Sequence, residues 1–513
     1  MASIHGWFGL CTGWILFVMF ATGTAAFFRY EISQWMMPEA NVAPASRLQA
    51  AETAVRYLSR TAPHADSWTI LLPDDRLPFT RVFAQAAPKP GQMRMTSHED
   101  VVLDPVSGEA IPVRATRGGD FFYWAHFELQ LPNLWGRWVA GLCAMALLGA
   151  LVSGVITHKR LFSDFFTLRW SKGQRSWLDA HIVTSVLALP FHVVITYSGL
   201  VTLMTLYMPF AMSANYVQPT DFMERLYARA VIGPASGRAA PLPPLAPLFA
   251  QAAARWEGHA PGRVVIGRPG DEAATVTLAR SDRELVTARI PLLRFTRDGR
   301  ITGTDYPPGA GTSSAGVLRG IHMGRFANPV LRWMYIGLSI VGTAMVATGM
   351  LLWVVARRRP KSAPTRSQRL AERVNVAVIG GFPSGVAALF LANRLLPIEM
   401  PSRAAAELWM LAAAWASAAA VPFTVPAKRA WPTVWAAAAF LYAAVPIANA
   451  LTTDRGLVAS LAAGDWAFAG FDATMILIAA CAATGARLTA KIGAKPAPQR
   501  RAARTRPEPA VDA

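Results

Sequence analysis

The chain has 513 residues, 53% of them hydrophobic, with a mean hydropathy of +0.30, which is too apolar for an ordinary soluble enzyme. Its formal net charge of +19 is concentrated in short basic loops, so it reads as membrane topology and headgroup contact, not as a nucleic-acid surface. The three cysteines, Cys11, Cys143 and Cys481, lie inside apolar runs with no CxxC, which argues against a disulfide framework or a thiolate-held iron–sulfur cluster.

In chain order, residues 1–28 hold the first predicted span, with an apolar run from Trp7 to Phe28. That run is too long for a cleaved signal peptide and has no Lys/Arg cluster before it. Residues 29–133 form a first external α+β domain: an amphipathic helix over Ser46–Arg60, then β-rich stretches at 67–72, 80–85 and 93–96. A strand–turn–strand follows at 101–109, where Asp104-Pro105 opens the turn and Gly108 closes it. The second span is 134–157, a loop occupies 158–180, and the third span is 181–208.

A second external domain, 209–329, repeats this plan. A linker containing Pro241, Pro243, Pro244 and Pro247 leads to a helix near Leu248–Trp256, strands near 263–267 and 274–279, and a hairpin over 292–301 turned by Asp298-Gly299. The fourth span is 330–356, followed by a basic linker, 357–374. Four Ala-rich spans fill 375–488, near 375–396, 405–424, 431–451 and 466–487, and a basic tail covers 489–513. The fold class is therefore an α-helical integral membrane protein of about eight spans, with two external α+β domains. Order and spacing predict two copies of one unit within residues 1–360, related by a two-fold axis along the membrane normal.

Lys159, Arg160, Arg169, Lys172 and Arg175 mark one basic segment, and Arg357 to Arg373 a second. Lys428-Arg429 and the tail mark two more. The positive-inside rule places all four in the cytoplasm, with both termini, and the two polar domains on the other side.

Six of the nine histidines sit at or within the first four spans. His5 precedes Gly23 by 18 residues, as His181 precedes Gly199, and His126 and His322 stand at matching long intervals before Ser153-Gly154 and Thr348-Gly349. Ionisable groups in a bilayer are costly and mark function by default, and imidazole is a favoured axial ligand of haem iron. The set His5, His126, His158, His181, His192 and His322 thus points to a membrane cytochrome holding haem b, with two haems stacked across the bilayer. One would draw ligands from His5, His158 and His181, the other from His126, His322 or His192. Symmetry favours His126 with His322, while His192 lies between the layers, and the pairing stays open. The alternative for His5 and His158 is a headgroup anchor. His64, His98 and His259 read as surface residues. The four Ser/Thr-Gly pairs let helices approach closely, or let backbone approach a flat porphyrin. Arg137, Arg332 and Arg29 are candidates for pairing with propionates, or else interfacial anchors.

No GxGxxG, P-loop, HExxH or GxSxG is present, so no built-in nicotinamide or flavin domain is recognisable. Electrons would come from a membrane quinol or a separate cytoplasmic reductase.

Several motifs together resemble the PepSY-associated transmembrane helix family. They are His5-Gly6-Trp7-Phe8-Gly9-Leu10, the Asp-Pro-x-Ser-Gly-Glu turn at 104–109, Thr157-His158-Lys159-Arg160, Trp177-Leu178-Asp179-Ala180-His181, Leu189-Pro190-Phe191-His192 and Tyr197-Ser198-Gly199-Leu200. The likeness covers about residues 1–360 and is silent on 375–490. It implies PepSY-like periplasmic domains in a bacterial inner-membrane protein that passes electrons outward, with a ferric siderophore as the acceptor. Two other readings remain: a haem-free PepSY binding or regulatory protein, and an iron-chelate transporter using Glu407, Asp465 and Asp472.

Overall fold

The computed structural model describes residues 2–86, 100–132, 134–157, 165–169, 172–215, 222, 226, 232–304, 309–358 and 362–494. His158 and the predicted strand at 93–96 lie outside them.

Among the described residues seven helices are long and apolar enough to cross a membrane, beginning with the one over His5–Ala26. That helix, α1 (Ala2–Ala26), leads into the short α2 (Arg29–Met36), and α3 (Arg47–Thr61) begins the external part. After it come α4 (Asp120–Glu128) and the spanning α5 (Trp135–Thr157). The expected third span is broken into α6 (Gln174–Leu187) and α7 (Leu189–Thr202), bent by 67°. Pro190 explains the break: it has no N–H for the carbonyl of Val186, and its ring clashes with the preceding turn. The span count is therefore seven, or eight if this bent pair crosses as one. Beyond it are α8 (Leu245–Arg255), α9 (Ala310–Met323) and the spanning α10 (Pro329–Ala356). In the membrane body α1 packs on α5 and α10, α6 on α10, and α7 on α5 and α9.

The polar segments do not make two separate domains. Strands β1 (Ser67–Leu71), β2 (Thr80–Gln85), β3 (Val101–Leu103), β4 (Pro261–Gly267), β5 (Thr275–Arg280), β6 (Leu292–Thr296) and β7 (Ile301–Thr304) form one antiparallel sheet in the order β3-β2-β1-β4-β5-β6-β7. The seam is β1 against β4, with Thr69 opposite Val265. One shared core follows, in which Ala54 and Leu58 of α3 and Leu248 and Ala252 of α8 meet Trp68, Ile70, Val264, Ile266, Leu278 and Phe295. Burying both helices on one sheet removes two strand edges that separate domains would expose.

The second hairpin forms fully, whereas after β3 the chain makes only a turn and a single bridge from Leu103 to Ala110. In that turn Asp104 Oδ1 accepts from the N–H groups of Val106 and Ser107. Gly108, at φ +78°, lies where a Cβ would come within 2.8 Å of Thr53 Cβ, so the turn closes only with glycine there.

The C-terminal helices are α11 (Arg366–Asn375), α12 (Gly381–Leu395), α13 (Arg403–Thr424), α14 (Ala427–Thr452) and α15 (Trp466–Ala494). A π-helical turn, Val376–Gly380, joins α11 to α12. Asn375 at this turn donates to the carbonyl of Met350 (3.1 Å) and accepts from Trp14 Nε1 (2.8 Å), tying the bundle to α10 and α1. At the sheet-side end a buried polar network does the rest. Trp35 Nε1 donates to Asp472 (3.0 Å), Asn393 to the carbonyl of Met36 (3.1 Å), Arg114 to the carbonyl of Asn393 (2.6 Å) and Thr116 to Glu407 (2.6 Å). Arg403 is ion-paired with Glu407, and both are fully buried. Helix directions set Arg357, Arg358, Arg366–Arg373, Lys428 and Arg429 at the opposite end from the sheet.

Candidate functional site

Four of the six singled-out histidines meet as two pairs. His126 and His322 face each other at the sheet-side end, with ring centroids 6.0 Å apart. His5 and His181 do so at the other end, 6.5 Å apart. Along α1, the 18 residues from His5 to Gly23 correspond to a rise of about 27 Å, close to the thickness of a hydrocarbon core. The pairs therefore stand about one hydrocarbon thickness apart.

Each ring rests in the same kind of seat, and each seat is one of the Ser/Thr-Gly pairs. A Cβ on Gly23 would lie 2.7 Å from His126, on Gly199 2.8 Å from His322, on Gly349 3.0 Å from His181 and on Gly154 3.4 Å from His5. The glycines are there to admit an imidazole, which is neither of the roles expected from sequence.

The carbonyl four residues before each glycine completes the seat. His126 Nδ1 lies 2.7 Å from the carbonyl of Met19, His181 Nδ1 3.0 Å from that of Met345, and His322 Nδ1 2.9 Å from that of Ile195. His5 Nδ1 lies 3.2 Å from Ser153 Oγ, with the Ala150 carbonyl as its backbone partner. The hydroxyl preceding each glycine bonds to the same carbonyl: Thr22 to Met19 (3.2 Å), Ser153 to Ala150 (3.1 Å), Ser198 to Ile195 (3.2 Å) and Thr348 to Met345 (3.0 Å).

This arrangement sets the tautomer. A ring that donates Nδ1–H to a carbonyl keeps the Nε2 lone pair, the form in which imidazole binds a metal. Among the described residues the Nε2 atoms of these four rings meet no hydrogen-bond partner, the bonds all being made through Nδ1. Among the described residues no three or more His, Cys, Asp or Glu converge as a metal cage. The histidines come in twos, with ring centroids 6.0 Å and 6.5 Å apart, so that each pair could hold one metal ion between two imidazoles.

A cavity opens around the sheet-side pair. It runs from Arg29, Arg76, Arg319 and Arg325 at its mouth, past His126 and His322, to Leu16, Leu147, Thr196 and Ser339 in the membrane. The polar mouth and apolar floor suit a flat amphiphile with its acidic groups outward. Arg137 and Arg332 are not among its lining residues. Arg137 is bound to Glu128 (2.9 Å) and Arg332 to Glu31 (2.8 Å), and the lining Arg76 and Arg29 are likewise paired, with Glu31 (2.7 Å) and Asp120 (3.2 Å). Of the three expected arginines only Arg29 lines the cavity. Arg325, held by Asp282, was signalled in sequence only by its place three residues after His322. Asp282 lies in the external part: burial pushes its carboxyl up, but Arg325, Arg283 and Arg29 more than offset this and hold it below the usual carboxylate range.

At the other end Asp179, fully buried, receives Arg169 through Nε and Nη2 (both 2.8 Å) and through its backbone N–H (3.0 Å), which fixes the loop leading into α6 and thus His181. Arg357 stacks over Trp353 at 4.1 Å and reaches within 3.5 Å of a Cβ placed on Gly6, beside His5.

His192 joins neither pair. His158 lies outside the described residues. His64 is exposed, and His259 forms a surface ion pair with Glu284 (2.5 Å).

No curated protein matches the sequence. The family model for the PepSY-associated TM region does match, over residues 2–356, an interval that holds both histidine pairs, all four seats and the whole sheet and ends with α10. The chain therefore belongs to the PepSY-associated TM region family.

Proposed function

We propose that this chain is a di-haem b oxidoreductase of the bacterial inner membrane. It passes electrons to a periplasmic acceptor, a ferric siderophore, whose iron is released as Fe(II). One observation carries the reading: two histidine pairs about one hydrocarbon thickness apart, each able to hold one metal ion between two imidazoles and each ring held by Nδ1. His126 and His322 would hold the outer haem and His5 and His181 the inner one, where bound haem b supplies a one-electron Fe(III)/Fe(II) couple.

The chain's own residues orient the rings and exclude water. The carbonyls of Met19, Ile195 and Met345 fix three rings, and the seat glycines bring them close to the helix axes. Arginines lining the cavity would supply donors for propionates through the N–H groups that Arg29, Arg76 and Arg325 do not spend on Asp120, Glu31 and Asp282. Reduction of a ferric chelate weakens the hold of its hard oxygen ligands, so the metal leaves and the chelator survives.

Two further readings rest on the same frame. An exchange of rings supports a two-fold repeat: His5 of α1 sits in the seat on α5 while His126, just before α5, sits in the seat on α1. His181 of α6 and His322 of α9 exchange seats on α10 and α7 in the same way. The sheet would be two PepSY-like units fused at β1–β4. Basic segments at the far end from the sheet support a periplasmic sheet and cytoplasmic termini. The transporter reading loses support, because Glu407 and Asp472 are bonded within the buried network and Asp465 is paired with Arg455 (2.5 Å).

The test is an optical spectrum of the detergent-purified protein, oxidised and dithionite-reduced, with haem counted as the pyridine haemochrome. Low-spin b-type bands at about two haems per chain are expected. A colourless protein made with ample haem would overturn the reading in favour of a haem-free binding module.

A further inference from the structure

His192 has a seat of the same make as the other four but no second imidazole opposite it. Its Nε2 lies 3.1 Å from where a Cβ on Gly342 would be, and the carbonyl four residues earlier, that of Leu338, is its nearby backbone group. Two things differ. The residue before the glycine is Val341, so the hydroxyl is missing, and the carbonyl is felt without completing a hydrogen bond. Phe20 stands where a partner imidazole would be, edge-on at 6.3 Å and 87°. His192 is fully buried, and neither ring nitrogen has a hydrogen-bond partner.

Its level in the membrane is set by two helices. Gly342 precedes Gly349, the seat of His181, by seven residues along α10, and His192 precedes Gly199, the seat of His322, by seven along α7. Each interval is a rise of about 10 Å, so the ring lies midway between the two histidine pairs. One turn on, Thr196 is buried with its hydroxyl also unpartnered, and it lines the floor of the outer cavity.

The register of the two halves makes the position stand out. Matching His5 and Gly23 to His181 and Gly199 puts Leu16 opposite His192, and matching Gly154 to Gly349 puts Leu147 opposite Gly342. Where one half packs two leucines, the other has a histidine against a glycine.

We propose that His192 is a positioning residue for the electron path, resting on the di-haem reading above: it ligates neither iron but sets a polar imidazole between the two haem positions and so fixes their relative potentials. In a low-dielectric gap an orientable dipole interacts strongly with a charge that changes by one. The step it serves moves one electron from the inner iron to the outer; the inner centre is oxidised, the outer reduced, and no bond or proton changes hands.

The test compares full-length His192→Phe, His192→Gln and Thr196→Val with the parent in detergent, measuring haem per chain, both midpoint potentials by optical redox titration, and the rate at which an electron re-equilibrates between the centres. Both haems are expected to stay in every variant. The separation of the two potentials shifts and the exchange slows in His192→Phe, His192→Gln recovers part of each, and Thr196→Val gives the smaller change in the same sense. Loss of one haem from folded His192→Gln would make His192 a ligand and overturn the proposal. Both haems with unchanged potentials and exchange in His192→Gln and Thr196→Val would also overturn it, whether or not His192→Phe folds. A parent protein without haem would instead bring down the di-haem reading itself.

Discussion

In the last four spans Arg403, Glu407, Asn393, Asn449 and Asp472 are fully buried and bonded to one another, to neighbouring helices or to the loop at Thr116. In residues 1–356 the half-buried rings of His5, His126, His181 and His322 use Nδ1 alone, and the fully buried His192 uses neither nitrogen. Apart from the Ser384 hydroxyl, the buried polar groups that hold the last four spans together are bonded, because an unmet donor in lipid is costly. Groups that leave one open are waiting for something, and the contrast separates clamp from site without reference to any homologue.

That contrast can be broken in several places. The largest effect is expected from His322→Ala or His126→Ala: haem should fall from about two to about one per chain, with ferric-chelate reduction lost, as read by the pyridine haemochrome and a ferrous-iron trap. Gly199→Ala should come close behind, since its Cβ would lie 2.8 Å from His322, whereas Gly154→Ala, with 3.4 Å to His5, should keep most of its haem. If these two glycine variants lose haem equally, the seats do not hold the rings as described.

In the clamp, Arg403→Ala strands the buried Glu407 carboxylate and should cost about 3–5 kcal/mol. A thermal melt should show the loss, while haem per folded chain stays at the parent value; a specific loss of haem would erase the distinction between the regions. Ser198→Ala removes one hydroxyl from a carbonyl that His322 also uses, and about 1 kcal/mol is expected, seen as a small shift of the outer potential. The smallest effect is one of pH. Because the Asp282 carboxyl titrates below its unfolded value, its pairing with Arg325 is present above the usual carboxylate range and is lost as pH falls through the lowered value. Outer-haem spectra should therefore hold steady from neutral pH down to about 4 and change only below it, and Asp282→Asn should remove that acid step.

Spans and most strands were legible in the sequence, because apolar length and alternation report directly on burial. Helix α3 appears at Arg47–Thr61 against an expected 46–60, and β2 at Thr80–Gln85 as expected. The union of both polar segments in one sheet was not legible, since the β1–β4 seam joins strands nearly two hundred residues apart and alternation says only which face is buried. The break at Pro190 could have been read from the proline and was passed over as a single span. For the site, equal spacing of histidines and Ser/Thr-Gly pairs signalled a repeat. It could not reveal that each ring lodges in the partner helix's glycine rather than its own, because spacing within a helix says nothing about which neighbour it meets. That same silence hid that His192 meets neither pair and that Arg76 and Arg325, not Arg137 and Arg332, line the cavity.

The seam between β1 and β4 also governs how such a protein can be made. Each histidine pair takes one ring from the chain up to α5 and one from α6 onward, so a ribosome that has finished only α1 to α5 has two half-sites and no complete one. His322 is the last of the four to be made, by which time β1 and β4 are both present and can zip together. The sheet-side pair is therefore complete only once β4 exists, and a chain cut between Thr157 and Gln174 would leave one ring of each pair in each fragment, with the sheet as the splint that brings both pairs together on co-expression.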